Sequence, residues 1–318
     1  MRLEGGASPF PRHFDGKRFF NPNAPQAPGW WDLLRWKATS RPERSARFVG
    51  DVNPSKPPEH VDGNELRVTL VNHATVLLQH RGGNILTDPI WSRRAGPSRW
   101  IGPRRHREPG VRWEDLPRID VVLLSHNHYD HLDVATLRRL AEQGSLRVVV
   151  PVGVGRLVRP LKMGTVDELD WGESAALASG KIHCVPALHF SARELLDRNR
   201  TLWCGYFLEL GEFTVYFAGD TAYGSHFSQI RERFGAPRLA LLPIGAYAPR
   251  WFMSPVHIGP DEAARAHEVL GAGTSIAIHH GTFQLADEAI DTPKRVLREC
   301  RTDDSFLLLE NGESVTLT

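Results

Sequence analysis

Hydrophobic positions are sparse and irregular up to residue 64 and become regular from residue 65 onward. The first part is rich in Pro, Gly, Asn and Arg, and its pattern supports only one short helix, near Trp31 to Thr39. Beyond it, short apolar runs bounded by Gly, Pro and polar residues indicate strands. We therefore predict an irregular N-terminal arm over 1–64, packed on a main domain over 65–318.

The strand and helix signals of the main domain fall into two similar halves. Its predicted strands are 66–70, 75–79, 84–87, 119–124, 146–150, 181–186, 203–210, 214–218, 240–243, 275–279, 305–309 and 314–317. Its predicted helices are 134–143, 227–234 and 261–270. Strands outnumber helices, and the helices fall between groups of strands. This order favours two packed sheets with outer helices over one doubly wound sheet.

Composition narrows the class of protein only modestly. With 41% hydrophobic and 24% charged residues the chain is typical of globular proteins, and a net charge of +2 gives no reason to expect a nucleic-acid partner. The three cysteines are scattered and odd in number, which favours a reducing, cytoplasmic compartment over a disulfide framework. We expect neither a signal peptide nor a transmembrane helix, because no apolar run is long enough.

An aromatic segment in the arm stands apart from this ordinary composition. Trp30, Trp31, Leu33, Leu34 and Trp36 lie within seven positions, and basic residues follow them. Such a segment is either an interfacial membrane anchor or a hydrophobic arm packed on the domain. So few apolar residues make a weak anchor, which favours packing.

The strongest chemical signal follows the predicted strand 119–124. The chain there reads Ser-His-Asn-His-Tyr-Asp-His-Leu-Asp, which places His126, His128, Asp130 and His131 within six positions. Imidazole and carboxylate groups are the ligands of zinc and related divalent ions. Loops that follow the C-terminal ends of strands are also where α/β proteins place their sites. We therefore predict a metal site here.

Three further candidate ligands lie at transitions from strand to loop, namely His189, Asp220 and His279. An isolated strand histidine is more often a hydrogen-bonded core residue, and Gly-Asp-Thr is a common turn. Together with the histidine cluster, however, the three complete a recognisable order of ligands.

This order, His-x-His-x-Asp-His followed by His, Asp and His, resembles the metallo-β-lactamase fold. The resemblance implies an α/β protein of the α+β type, in which two mixed sheets and outer helices form a four-layer αβ/βα sandwich. It implies two metal ions, most simply Zn²⁺, although iron or manganese would also suit these ligands. The first ion would be held by His126, His128 and His189. The second would be held by Asp130, His131 and His279, with Asp220 bridging both.

Four flanking segments narrow the resemblance to the branch of N-acyl-phosphatidylethanolamine-hydrolysing phospholipase D. They are residues 72–77, 86–90, 244–253 and 278–283, and the similarity runs from about Gly16 to the C-terminus. The branch implies that a hydroxide bridging the metals cleaves a phosphodiester bond, giving phosphatidic acid and an amide alcohol. It also implies a phospholipid substrate, transient contact with a membrane surface, and a homodimer. The alternative is a soluble hydrolase of the same fold that acts on a lactone or a sugar phosphate.

The resemblance also suggests roles for residues around the metals. Asp130 would ligate a metal ion and orient the hydroxide, and the bridging Asp220 would hold the separation of the two ions. His257 would contact the phosphate or the leaving group unless its role is structural. Asp88 either fixes a ligand imidazole or simply begins a turn before Pro89. The branch usually has an aromatic residue where this chain has His280. Neighbours on a strand face opposite sides, so only one of the two adjacent histidines can face the metal, and alignment favours His279.

One further basic segment, residues 92–113, carries Arg93, Arg94, Arg99, Arg104, Arg105 and Arg107. Such a loop either attracts anionic headgroups or is merely solvated.

Overall fold

The computed structural model describes residues 10–22, 24–45, 54–178, 180–194, 196–301 and 303–318, and two seven-stranded mixed sheets form its centre. The first sheet has the order β14-β1-β2-β3-β4-β5-β6. Its strands are β1 (Leu66–Asn72), β2 (Thr75–His80), β3 (Gly83–Thr87), β4 (Val121–Leu123), β5 (Leu146–Pro151), β6 (Gly164–Leu169) and β14 (Ser314–Leu317). The last strand pairs antiparallel with β1, so the two ends of the main domain meet in this sheet.

The second sheet repeats this plan with the order β13-β12-β11-β10-β9-β8-β7. Its strands are β7 (Ser174–Leu177), β8 (Gly180–Val185), β9 (Gly205–Leu210), β10 (Phe213–Phe217), β11 (Leu239–Pro243), β12 (Thr274–Ile278) and β13 (Phe306–Leu307). In both sheets one half is parallel and the other antiparallel.

Among the described residues, five helices cover the outer faces of the two sheets, and they are α2 (Val134–Ala141), α3 (Gly155–Val158), α4 (His226–Phe234), α6 (Pro260–Leu270) and α7 (Thr292–Cys300). Helices α1 (Trp30–Thr39) and α5 (Arg250–Met253) pack on each other, and 3-10 turns lie at Trp113–Asp115 and Arg159–Leu161. Helix α2 begins where the Asp133 carboxylate accepts a hydrogen bond from the Ala135 amide at 3.1 Å. Within the described ranges, no helix is long and apolar enough to cross a bilayer.

Side-chain alternation explains the continuous apolar runs of the central strands. In β4, Val121 and Leu123 face the core between the sheets, whereas Val122 packs outward against α2. In β11, Leu241 points inward and Leu242 packs under α4, α6 and α7. Both faces of each sheet are therefore buried, and the expected four-layer αβ/βα sandwich is confirmed.

Most of the predicted elements are present, but their lengths differ. Of the strand predicted at 119–124, only the three residues of β4 form a strand. Of the strand predicted at 305–309, only the two residues of β13 do. Strands β6 and β7 and helices α3, α5 and α7 were not predicted. The β6 sequence, Gly-Thr-Val-Asp-Glu-Leu, has no continuous apolar run, because β6 is an edge strand of its sheet and most of its residues are only partly buried or exposed. The boundary between the N-terminal arm and the main domain at residue 64 stays a prediction.

Helix α1 packs on the main domain through one face only. Trp36 is buried, stacks on Phe252 with 4.8 Å between the ring centroids, and donates from Nε1 to Asp287 Oδ1 at 3.0 Å. Leu33 packs in the same cluster. Trp31, in contrast, is 84% exposed. The aromatic segment is thus divided between a packed face and an exposed face.

This division predicts that substitutions of two tryptophans of the same helix differ in their effect on proteolysis. Trp36→Ala should weaken the docking of α1 by about 3 kcal/mol, since a buried aromatic side chain is lost. Tryptic cleavage after Arg35 and Lys37, measured under native conditions, should then accelerate by up to about a hundredfold. Trp31→Ala is the matched control and should leave the cleavage rate unchanged. Equal rates in both variants would contradict the packing.

Candidate metal centre

The candidate ligands lie in loops that follow strands of both sheets. The cluster from His126 to His131 follows β4, and His189 follows β8 by a few residues. Asp220 follows β10, and His279 comes directly after β12. The loops converge at one edge of the sandwich, where the structure brings all seven side chains together.

Three of the histidines form a first group. His126 Nε2 lies 2.9 Å from His128 Nδ1, and His189 Nε2 lies 3.2 Å from the same atom. Their possible ligand atoms all lie within 4.8 Å of one another. The group is therefore compact enough to hold one ion.

A second group surrounds the Asp130 carboxylate. Asp130 Oδ2 lies 3.3 Å from His131 Nε2 and 3.4 Å from His279 Nε2. This is the set that the resemblance implies for a second ion, and its ligand atoms are equally close together.

Asp220 lies between the two groups. Its Oδ2 is 3.1 Å from His131 Nε2 and 3.2 Å from His279 Nε2 in the second group. The same oxygen is 3.9 Å from His126 Nε2 and 3.8 Å from His189 Nε2 in the first. This central position is the one that a bridging carboxylate requires.

Several buried atoms at the centre that lack a hydrogen bond fit a bound cation. Asp220 Oδ1, His131 Nε2 and His279 Nε2 are buried and make no hydrogen bond to any described residue. Buried polar atoms without a partner are costly, and a divalent ion would satisfy several of them at once. Imidazole nitrogens and carboxylate oxygens are a suitable donor set for zinc, iron or manganese.

The two groups differ in electrostatics. Burial lowers the pKa of His128 to about 3, so its imidazole is neutral and free to ligate at neutral pH. Burial acts in the same direction on His279, but Asp220 and Asp130 outweigh it and raise its pKa to about 9. Both carboxylates, despite the opposing effect of burial, have pKa values well below their usual range because of the histidines beside them. Without a metal ion, His131 and His279 therefore hold protons that offset the charges of the two carboxylates, and these protons must leave before the imidazoles can ligate a cation.

Asp88 holds two of the candidate ligands in place. Its Oδ2 accepts a hydrogen bond from His131 Nδ1 at 2.7 Å and another from Ser125 Oγ at 2.5 Å. Ser125 Oγ lies in turn 2.9 Å from His126 Nδ1, and the Ser125 amide donates to Asp88 Oδ1 at 2.7 Å. These contacts fix the Nδ1 side of both imidazoles, which leaves Nε2 facing the centre. Asp88 thus does more than begin a turn.

His73 also reaches the centre, although sequence reasoning gave it no role. It lies in the turn between β1 and β2, and its Nε2 is 3.1 Å from Asp130 Oδ2. Its φ of 48° is unusual for a residue other than glycine, and Asp88 (31°) and His279 (58°) share this feature. Such strained residues often cluster at functional sites. Residues 72–77 are part of the family resemblance, but their spacing along the chain does not show that the His73 imidazole contacts Asp130.

The two adjacent histidines diverge for a reason that differs from the prediction. The strand expected to reach residue 279 ends at Ile278, and the left-handed backbone of His279 turns the chain. His280 Nε2 donates to Ala277 O at 3.2 Å. His279 therefore faces the centre and His280 faces away, because of a turn and not because of strand alternation.

A cavity of about 890 Å³ opens from the centre to the surface. His128, Asp130, Asp220 and His257 line its inner end, and His257 Nδ1 lies 3.9 Å from Asp220 Oδ2. The outer walls are largely apolar. They include Trp30, Leu33, Trp36, Phe190, Phe252, Met253, Val256 and Leu285.

The arginine-rich loop is neither simply solvated nor wholly available to headgroups. Arg105 is buried and donates from Nε to Ser92 O at 3.0 Å and from a terminal nitrogen to Ile90 O at 3.2 Å. Burial lowers its pKa to about 10, so it stays charged at neutral pH. Arg107 binds Asp291 at 2.6 Å. These two side chains hold the loop to the domain.

Comparison with known proteins agrees with this geometry. A family model described as a β-lactamase superfamily domain matches residues 83–280, which is more than half of the chain. The chain belongs to the metallo-β-lactamase superfamily. The matched range contains all seven candidate ligands and Asp88, whereas His73 and α1 lie outside it.

Named relatives and a solved structure narrow the comparison. The chain is 39% identical over 266 residues to N-acyl-phosphatidylethanolamine-hydrolyzing phospholipase D 1 of Caenorhabditis elegans, which covers 78% of this chain and 75% of the relative. It is 36% identical over 225 residues to the mitochondrial enzyme of that name from Saccharomyces cerevisiae, covering 69% and 48%. A possible metal-dependent hydrolase from Veillonella parvula shares the fold, with a TM-score of 0.64 and 18% identity over 79% of this chain and 99% of that one.

The contacts of Asp88 predict a loss of metal affinity in Asp88→Asn. An amide of the same shape cannot accept hydrogen bonds at both positions, so His131 and His126 would lose their orientation. Zinc affinity, measured by competition with a chromophoric chelator, should fall by about 10- to 100-fold. Asp291→Asn, an exposed carboxylate that pairs with Arg107, is the control and should bind zinc normally. Unchanged affinity in Asp88→Asn would reduce Asp88 to a turn residue.

Proposed function

We propose that this protein hydrolyses a phosphodiester bond of N-acyl-phosphatidylethanolamine or a related phospholipid at a pair of divalent metal ions. The cavity is the observation that supports this most directly. Its inner end carries Asp130, Asp220 and His257, and its outer walls are largely apolar. A phospholipid is divided in the same way, into a charged phosphodiester and apolar chains.

The seven candidate ligands would be shared between two ions. His126, His128 and His189 would hold the first, and Asp130, His131 and His279 the second, with Asp220 between them. Bound ions would supply Lewis-acid activation of the phosphoryl group and of the attacking water. In the overall reaction the oxygen of water becomes bonded to phosphorus, the bond from phosphorus to the amide alcohol breaks, and the alcohol leaves with a proton.

Other residues would position the reacting groups. Asp88 would orient two imidazoles, and His73 would hold Asp130 Oδ2. Burial keeps the pKa of His257 well below its ordinary value, so this imidazole is neutral and can donate an N–H to a phosphoryl oxygen. No side-chain nucleophile is needed for this reaction class.

A soluble lactone or sugar phosphate is the alternative substrate, and the cavity argues against it. A hydrated sugar would leave walls such as Trp36, Phe252 and Met253 without apolar contacts. The names of the worm and yeast relatives also support the lipid. His280, the departure from the branch pattern, faces Ala277 and is not among the described lining of the cavity, so it does not alter the proposed substrate wall.

The zinc-loaded protein should release phosphatidic acid and an N-acylethanolamine from mixed micelles of the lipid, as measured by mass spectrometry. Asp220→Asn should lower kcat by at least about a hundredfold, because it weakens the ligand between the two groups. Asp291→Asn is the surface control and should act normally. Turnover of lactones alone would refute the substrate, full activity in Asp220→Asn would refute the bridge, and a protein that binds no zinc would refute the mechanism.

Narrowing the cavity should separate lipid from soluble substrates. Leu285→Trp adds bulk to an apolar wall of the cavity at a residue that is not a candidate ligand. The kcat/KM for the lipid should fall about tenfold or more, since one or two misplaced methylenes already have effects of this size. The kcat/KM for bis(p-nitrophenyl) phosphate should change little, and this substrate serves as the internal control. An equal fall for both substrates would place the lipid chains elsewhere.

A further inference from the structure

We propose that Asn21, in the N-terminal arm, is a positioning residue for the candidate metal ligand His189. The inference rests on the metal centre of the proposed function, but it does not depend on the proposed lipid substrate. Asn21 lies outside residues 83–280, the range that the superfamily model matches. The arm is thereby part of the metal centre, in addition to covering the domain beside the cavity.

The Asn21 side chain connects the arm to the loop that carries His189. Its Nδ2 donates to His189 O at 2.8 Å, and its Oδ1 accepts from Trp203 Nε1 at 3.1 Å. The same indole nitrogen donates to Ala187 O at 3.0 Å, two residues before the ligand. Asn21 is buried, and a buried amide is tolerated where both of its ends have partners. Only a side chain that both donates and accepts can join this carbonyl to this indole.

His189 is therefore held both at its ring and at its backbone. Its Nδ1 lies 2.9 Å from Val256 O, and since a carbonyl only accepts, Nδ1 carries the proton and Nε2 keeps its lone pair for a metal. The contact with Asn21 fixes the backbone from which the imidazole projects. Distances from a ligand to a metal vary by only about 0.2 Å, so a small movement of this backbone weakens ligation.

Residues 10–22 form a strap whose other contacts anchor it on the domain. The Phe19 amide donates to Asn199 O at 2.8 Å, and the Asn199 amide donates to Ser191 O at 2.8 Å within the ligand loop. Phe19 is buried in the core between the sheets, and His13 Nε2 lies 2.7 Å from Asp170 Oδ1. A substitution at Asn21 therefore removes one contact to the ligand loop without releasing the strap.

Titration of the full chain with Co²⁺, followed by visible absorption, tests the inference. Asn21→Leu keeps a similar volume but removes the donor to His189 O. We expect the affinity for Co²⁺ to fall about tenfold, with a shifted absorption band, because one positioning hydrogen bond is lost. Asn64→Leu is the matched control, since Asn64 is an exposed asparagine that bonds to Glu212 and Arg81. It should bind Co²⁺ normally.

Two further backgrounds assign the effect to His189. In His279→Ala the first group of ligands remains complete, and adding Asn21→Leu should again weaken Co²⁺ binding about tenfold. In His189→Ala the backbone carbonyl remains but the imidazole is absent, so adding Asn21→Leu should cause no further loss. A role confined to folding would instead lower the affinity equally in both backgrounds.

Two outcomes would overturn the inference alone. They are a normal Co²⁺ affinity and spectrum in Asn21→Leu, and an equal loss in the two histidine backgrounds. If circular dichroism shows that Asn21→Leu does not fold, Asn21→Ala takes its place in every arm, because a smaller side chain cannot overpack the core. A wild-type chain that binds no Co²⁺ would refute the proposed metal centre and the inference together.

Discussion

The buried carboxylate of Asp220 imposes the constraint on which the site depends. It lies among His126, His131, His189 and His279, with one oxygen 3.1 Å to 3.9 Å from their Nε2 atoms, while its other oxygen has no hydrogen-bond partner in the described part of the chain. A buried charge of this kind is tolerated only where positive charge compensates it. Protons on the histidines do so in part, and metal ions would do so more completely. The loops of both sheets therefore have to meet at this atom.

The need to orient imidazoles explains why neighbouring residues are strained. Asp88 and His73 occupy positive-φ conformations that cost free energy, yet Asp88 holds His131 and His73 contacts Asp130. Without such contacts, each ligand could rotate away from the centre. The fold therefore supplies a rigid frame, and the strain is located where an imidazole or carboxylate must be aimed.

The sequence predicted the sandwich and the ligand cluster because both are local signals. The apolar run around β4 and the spacing from His126 to His131 are visible without any distant contact. Helix α7 did have a local signal, because Asp291 precedes it, Pro293 lies in its first turn and its apolar residues share one face. The role of His73 was missed for the opposite reason, since His73 reaches Asp130 only because the turn after β1 folds over a loop 57 residues away in the chain. Long-range geometry of this kind leaves no local pattern.

The chemistry of the site and the choice of substrate likewise depend on different parts of the chain. The candidate ligands lie inside the range shared with the superfamily, residues 83–280, and so does Asp88. The walls that α1 contributes, with Trp30, Leu33 and Trp36, lie outside that range, as does Leu285. A centre that is common to a superfamily cannot by itself choose among phosphodiesters and lactones. The choice of substrate must come from the shape and polarity of the surface around the candidate metal centre, and here the arm builds much of that surface.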